Sequence, residues 1–205
     1  MTQARLTNPG LDEETARAEV YGLLAALYYA PPAIELLQQL RAAVTEAPSA
    51  GAFLEEPWRV FVGVARSTEL DAIASEYDTL FGGVGKPEVY LFGSYYLSGF
   101  LNEKPLARLR SDVAALGLAR DETMSETEDH VAYLCEVMRY LIAGDDVEVA
   151  NLTQQQRIFA RHLQPWVGRM CEAIAQHPQA RFYRALAEFT LAFLSVEAQG
   201  FDLIG

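Results

Sequence analysis

Apolar residues recur along most of the chain at the three- and four-residue spacing of a helix with one buried face. One such stripe runs from Ala16 to Tyr28 and stops at Pro31, because proline lacks the amide donor that a continuing helix needs. Another runs from Val131 to Ile142. No segment shows the apolar–polar alternation of a convincing strand. The pattern predicts an all-α bundle of about nine helices.

One long interruption separates these stripes. A helix with Tyr77, Leu80 and Phe81 on its apolar face leads into four helix-breaking residues: Gly82, Gly83, Gly85 and Pro87. The chain then becomes rich in aromatic residues: Tyr90, Phe92, Tyr95 and Tyr96. Long irregular segments are usually functional or disordered, and disordered segments contain few aromatics. We therefore interpret residues 82–93 as an ordered binding loop.

A short polar segment, residues 118–125, is the best candidate for a hinge between two lobes. We expect an N-terminal lobe over residues 1–117, which contains the loop, and a C-terminal lobe over residues 126–205. Ser125 and Glu128 have the spacing of a capping box, which predicts a helix beginning between them. Thr153 and Gln156 predict a second one in the same way. Asp129 is then expected to be exposed in the first helical turn.

Charge and cysteine content exclude several classes of protein. The chain has 16 basic and 28 acidic residues and a net charge of −12, which disfavours binding to nucleic acid. Cys135 and Cys171 both fall within predicted helices and form no CxxC pair, which favours buried structural thiols over a disulfide or a zinc site. No apolar run is long enough to span a bilayer, and residues 1–20 lack the apolar core of a secretory signal. We expect a cytoplasmic protein without stable membrane insertion.

No enzyme signature survives inspection of the spacing. The GGVGKP segment lacks both the earlier glycine and the later Ser or Thr of a phosphate loop. A di-iron bundle needs Glu-x-x-His pairs, and none of His130, His162 and His177 has a glutamate three residues earlier. His162 shares a helix face with Phe159 and Trp166, which predicts a core histidine bonded to a backbone carbonyl. We expect no catalytic residue, metal or cofactor.

The acidic segment Glu126-Thr127-Glu128-Asp129-His130 permits two interpretations. Its carboxylates can accept bidentate hydrogen bonds from arginines of a partner. Alternatively, they only favour the helix dipole and the cap, as acidic residues at a helix start often do. Residue chemistry alone favours this second interpretation.

Three segments in order resemble the TorD/DmsD/NarJ family of chaperones for molybdoenzyme maturation. They are Glu76-Tyr77-x-x-Leu80-Phe81 with the Gly/Pro loop and Ser94-x-Tyr96, the acidic segment 126–130, and Phe159-x-x-x-His162-Leu163-x-Pro165-Trp166. The chain departs from the family at Val84 and Thr127, where proline is common.

The resemblance implies a two-lobed, all-α, non-enzymatic protein, either a monomer or a homodimer. It implies a partner as well: the apo form of a molybdenum-containing oxidoreductase, bound through its twin-arginine signal peptide or a related N-terminal segment until its cofactor is inserted. Such a peptide offers arginines and an apolar helix, so its receptor needs carboxylates beside an aromatic groove. The expected arginine acceptors are Glu128 and Asp129, with His130 on the groove side. The expected apolar lining is Tyr77, Leu80, Phe81, Tyr90 and Tyr96.

Two other functions remain open. One is an assembly factor for a non-exported formate dehydrogenase or nitrate reductase subunit. The other, an enzyme that uses a bound nucleotide, is disfavoured by the lack of a phosphate loop.

Overall fold

The computed structural model describes residues 9–45, 54–82, 86–121 and 124–203, and these residues form helices, turns and a single isolated β-bridge but no strand. The helices are α1 (Pro9–Tyr29), α2 (Ile34–Ala42), α3 (Glu55–Ser67), α4 (Leu70–Leu80), α5 (Gly93–Ser98), α6 (Lys104–Ala115), α7 (Val131–Ala143), α8 (Leu152–Ile158), α9 (Val167–Gln176) and α10 (Phe182–Asp202). A π-helical segment, Phe159–Leu163, follows α8. The predicted all-α fold is confirmed. Gly83, Val84 and Gly85 of the predicted loop lie outside the described residues.

The two long apolar stripes of the sequence pack against each other, as α1 lies along α7. Tyr21 and Leu24 of α1 and Met138 and Leu141 of α7 are fully buried in a core cluster that draws on both halves of the chain. On the far side, α10 packs on α3 and α9. The division into lobes at residues 118–125 stays a prediction.

A buried polar network joins the two ends of the chain. Arg17 of α1 forms a bidentate pair with Glu197 of α10, at 2.7 and 2.9 Å. Tyr21 donates a hydrogen bond to the same carboxylate, and Arg17 also reaches Gln155 of α8. These contacts satisfy a carboxylate that burial would otherwise destabilise.

Both predicted capping boxes are wrong by a few residues. Helix α7 begins only at Val131, and its N-cap is His130, whose Nδ1 accepts a hydrogen bond from the Ala132 amide at 3.1 Å. Helix α8 begins at Leu152, with Asn151 as the N-cap. The later start of α7 has a physical cause: residues 129–131 are held by backbone hydrogen bonds to the chain around Phe92.

Both cysteines are buried, as expected, and burial raises the pKa of each thiol, which makes the reactive thiolate scarce. Among the described helices, none combines the length and the apolar character required to cross a membrane.

Candidate functional site

The central loop and the acidic segment lie in direct contact. The Val131 amide donates to the Leu91 carbonyl at 2.9 Å, and the Gly93 amide donates to the Asp129 carbonyl at 2.8 Å. Between these two bonds, Phe92 and His130 form an antiparallel bridge, and their rings meet edge to face with centroids 4.9 Å apart. Two segments that the sequence separates by more than thirty residues therefore form one structural unit.

Asp129 is the residue that fastens this unit. Its Oδ2 accepts hydrogen bonds from the Ser94 amide, at 2.9 Å, and from the Ser94 hydroxyl, while Oδ1 accepts one from Thr127 at 2.7 Å. The expectation that Asp129 is exposed was wrong, since only 3% of it is accessible. The first turn of α5 needs an acceptor for its free amides, and Asp129 supplies it from another part of the chain. Asp129 therefore positions the loop, and its oxygens are already engaged.

Tyr90 and Tyr96 form the aromatic end of the loop. The Tyr96 hydroxyl donates to the Tyr90 carbonyl at 2.9 Å, and the Tyr96 ring stacks on Trp166 with centroids 5.7 Å apart. Gly93 permits this packing, because a Cβ there would lie 2.9 Å from Trp166 Nε1. Trp166 in turn donates to the His162 carbonyl. The loop thus rests on the third motif, Phe159 to Trp166.

Tyr77 and Phe81 extend the aromatic surface toward the end of α1. The Tyr77 hydroxyl donates to the Tyr29 carbonyl at 2.7 Å. The rings of Tyr77 and Phe81 both pack edge-on against Tyr183. Leu80, in contrast, is fully enclosed in the core. The expectation that its side chain lines a groove was therefore wrong.

His130 is neutral at physiological pH. Burial lowers its pKa to about 4, against the opposing effect of the Asp129 charge. A neutral ring is also what the cap requires, because Nδ1 accepts the Ala132 N–H. The ring lies edge to face with Tyr29, with centroids 6.5 Å apart.

Glu128 already binds arginine within the chain. Arg110 lies 2.8 Å and Arg120 3.9 Å from its carboxylate. Partial burial acts to raise the pKa of Glu128, but its hydrogen bonds, the one from Arg110 foremost, lower the pKa below its ordinary value. An incoming arginine would have to displace one of these two.

A recess between α1 and α7 adjoins His130. This recess, hereafter the α1–α7 recess, has a volume of about 330 Å³ and is lined by Ala25, Ala26, Tyr29, Met124, Ala132 and Glu136. Apart from Glu136, the lining is apolar or aromatic. Tyr29 connects it to both predicted clusters, because Tyr77 binds its carbonyl and His130 contacts its ring.

Two carboxylates at or near the α1–α7 recess are accessible. Glu136 pairs with Arg139 at 2.8 Å, and both side chains are about half exposed, so this pair contributes little to stability. Glu126 lies close to Tyr77. Burial raises the pKa of Tyr77 to about 12, and the negative charge of Glu126 adds to this effect. Among described residues, the Glu126 carboxylate accepts only the Ser125 hydroxyl, at 3.2 Å. No local pattern in the sequence marks Tyr29 or Glu136, because their proximity depends on how α1 packs against α7.

The α1–α7 recess thus offers an apolar floor with one half-exposed carboxylate, that of Glu136. The described residues contain no cluster of metal-ligating side chains. These features define an all-helical protein with an apolar recess between α1 and α7.

Comparison with known proteins identifies the family. A family model described as nitrate reductase delta subunit matches residues 35–172. The chain therefore belongs to this family, which includes the TorD and NarJ chaperones. Relatives named "Chaperone protein TorD" are 26% identical over 137 residues in Vibrio cholerae and 25% identical over 217 residues in Shewanella loihica.

The extent of these matches differs. The match to the Vibrio cholerae protein covers 63% of this chain, and the chain spans 62% of the length of that relative. The Shewanella loihica match covers 95% of this chain and 98% of that relative. The family and its named relatives are chaperones, in agreement with the expected non-enzymatic role.

Proposed function

We propose that this protein is a cytoplasmic maturation chaperone for a molybdenum-containing oxidoreductase. It binds the twin-arginine signal peptide, or a related N-terminal segment, of the apo form and holds that form until its cofactor is inserted. Family membership supports the chaperone role. The observation that carries the peptide specificity is the α1–α7 recess, which combines an apolar floor with the half-exposed carboxylate of Glu136.

The geometry changes which carboxylates receive the arginines in this proposal. Asp129 is engaged with Ser94 and Thr127, so it serves as a positioning residue. Glu126 and Glu136 have accessible oxygens and are the proposed arginine acceptors, with Glu128 available by exchange with Arg110. A bidentate arginine–carboxylate pair beside a partly apolar surface is stronger than a solvated surface pair.

The apolar part of the bound segment is assigned to the floor of the α1–α7 recess. Tyr29, Ala25 and Met124 offer it contact there. Tyr77 and Phe81 continue the aromatic surface from the Tyr29 end, while Tyr90 and Tyr96 flank the bridge residue Phe92 along the chain. Burial of an apolar helix face provides affinity, and the carboxylates provide selection for arginine.

The test is a calorimetric titration with a twin-arginine leader peptide and two altered versions of it. Changing both arginines to glutamine should weaken binding by at least about tenfold, as expected for loss of charge-assisted hydrogen bonds. Changing both to lysine should give an intermediate affinity, because lysine keeps the charge and loses the bidentate geometry. Equal affinity for the arginine and glutamine peptides would contradict arginine recognition.

A second candidate is an assembly factor for a non-exported client, and the description of the matching family as a nitrate reductase subunit favours it. The fold and the recess suit both candidates, because an N-terminal segment without a twin-arginine motif can also be amphipathic. Co-purification from native cells separates them: the captured oxidoreductase either carries a twin-arginine leader or lacks one. Light scattering on the same sample determines whether the chaperone is a monomer or a homodimer.

A further inference from the structure

A second groove, between α5, α6 and the π-helical segment, has the opposite charge from the α1–α7 recess. This groove, hereafter the α5–α6 groove, encloses about 640 Å³, and its lining includes Leu97, Pro105, Arg108, Asp112, Arg161 and Pro165. It lies beside the third family-like motif, since His162 and Pro165 both contribute to its lining.

His162 and Asp112 form the floor of the α5–α6 groove. His162 Nε2 lies 2.8 Å from Asp112 Oδ2, so the buried histidine is bonded to a carboxylate, and the expected backbone carbonyl partner was wrong. Burial lowers the pKa of His162 against the opposing effect of Asp112. The Asp112 carboxylate is thereby occupied, and no other acidic residue lines the groove among the residues that the structure describes.

Arginines give the α5–α6 groove a local positive charge. Arg108 is exposed and has no hydrogen-bond or ion-pair partner in the described part of the chain. The contact of Arg161 with Asp112 is long, at 3.4 Å, and the Arg161 side chain is 61% exposed. The Arg157 atoms Nε and Nη2 are enclosed without a hydrogen-bond partner among described residues, and the Arg157 charge acts on His162. On a chain of net charge −12, such a group marks a site for an anionic ligand.

Leu97 and two prolines line the same groove, and further exposed apolar residues follow Leu97 along the chain. Leu97 itself is exposed, and so are Phe100, to 70%, and Leu101, to 41%. Exposed apolar side chains next to arginines are typical of protein interaction sites. A small anion such as phosphate would leave this apolar part uncovered.

We propose that the α5–α6 groove binds a carboxylate-bearing, apolar peptide segment of a protein partner. The carboxylates pair with Arg108 and Arg161, and the apolar side chains cover Leu97 and Pro105. The net charge of −12 opposes an extended polyanion such as nucleic acid or an anionic membrane, whereas a short acidic segment meets only the local arginines. This site goes beyond leader binding, because a leader is cationic and suits the other, acidic recess.

Fluorescence anisotropy tests the inference by comparing two labelled hexapeptides, the acidic EFDLEF and its amide analogue QFNLQF. The acidic peptide should bind at least about tenfold more tightly at low salt, and added salt should reduce the difference. The variant Arg108→Gln/Arg161→Gln should lose this preference. The control Arg59→Gln/Arg66→Gln makes the same change in net charge at exposed positions of α3, outside the groove, and should retain it.

Three results would overturn the inference. Equal binding of the two peptides excludes carboxylate recognition, and unchanged affinity in Arg108→Gln/Arg161→Gln excludes this groove. Co-sedimentation with phosphatidylserine vesicles that is lost in Phe100→Ser would assign the surface to a membrane instead. Leader binding, measured on the same variants, should remain unchanged, so failure of this proposal and failure of the proposed function can be distinguished.

Discussion

Glu76 on α4 accepts a hydrogen bond at 2.8 Å from the backbone amide of Tyr183, 107 residues further along the chain. The same carboxylate also accepts the amides of Arg181, at 2.8 Å, and Phe182, at 3.0 Å. Glu76 therefore caps the first turn of α10, whose own N-cap residue, Arg181, makes no side-chain cap. The bond explains why an acidic residue stands immediately before Tyr77: it joins α4, and the loop that follows, to the C-terminal helix.

Glu76→Ala should lower the free energy of unfolding by about 2 kcal/mol, because three amides at the positive end of the α10 dipole lose their acceptor. Urea denaturation followed by circular dichroism measures this. Glu69→Ala, which removes an exposed carboxylate immediately before α4, is the control and should change stability by no more than about 0.5 kcal/mol. Equal losses in both variants would show that the cap contributes nothing.

Asp129→Ala should destabilise the protein by about 3 kcal/mol, because the buried Ser94 amide and the Thr127 hydroxyl lose their acceptor. The sequence alone led to the opposite expectation, that of an exposed residue with little effect. Thermal unfolding of two variants in the same segment measures this. Asp129→Ala should melt at a lower temperature than Glu126→Gln, because Asp129 positions the loop and Glu126 is partly exposed at the surface. A stable Asp129→Ala with the melting temperature of Glu126→Gln would contradict the structural account.

Stability should fall as the pH decreases from 7 to 5, in part because of His130. The folded state holds the pKa of this histidine at about 4, whereas the unfolded chain binds the proton near pH 6.5. The unfolded state therefore takes up a proton first, and the loss attributable to His130 should reach about 2 kcal/mol at pH 5.

His130→Asn isolates this contribution, because asparagine preserves the cap and does not titrate. Between pH 7 and pH 5, His130→Asn should lose about 2 kcal/mol less stability than the wild type. His177→Asn, a substitution away from the Phe92–His130 bridge, should follow the wild type. Parallel pH profiles for the wild type and His130→Asn would be inconsistent with a buried, neutral His130.

Periodicity alone was enough to predict the helical fold, because stripes such as Val131–Ile142 bury one face whatever their partner. The proximity of the loop and the acidic segment was also predicted, and the two segments meet at Phe92 and His130. Helix starts were less predictable. Ser125 and Glu128 match a capping box, but the backbone pairing of Val131 with Leu91 keeps them out of the helix.

Individual roles within the site depended on contacts that no local pattern encodes. Asp129 and Glu76 look alike in the sequence as acidic residues on or near helices, yet each caps a helix that lies elsewhere in the chain. Glu136 gave no signal at all, because its position beside Tyr29 exists only once α1 lies against α7. The division into two lobes stays a prediction.

The most direct test of the account is a double-mutant cycle between the leader arginines and the α1–α7 recess. Calorimetry measures the affinity of the twin-arginine and twin-glutamine peptides for the wild type and for Glu126→Gln/Glu136→Gln. We predict a coupling free energy of at least about 1.5 kcal/mol, so that the variant no longer distinguishes the two peptides. A coupling near zero, with the preference for arginine intact in the variant, would contradict the assignment of these carboxylates as the arginine acceptors.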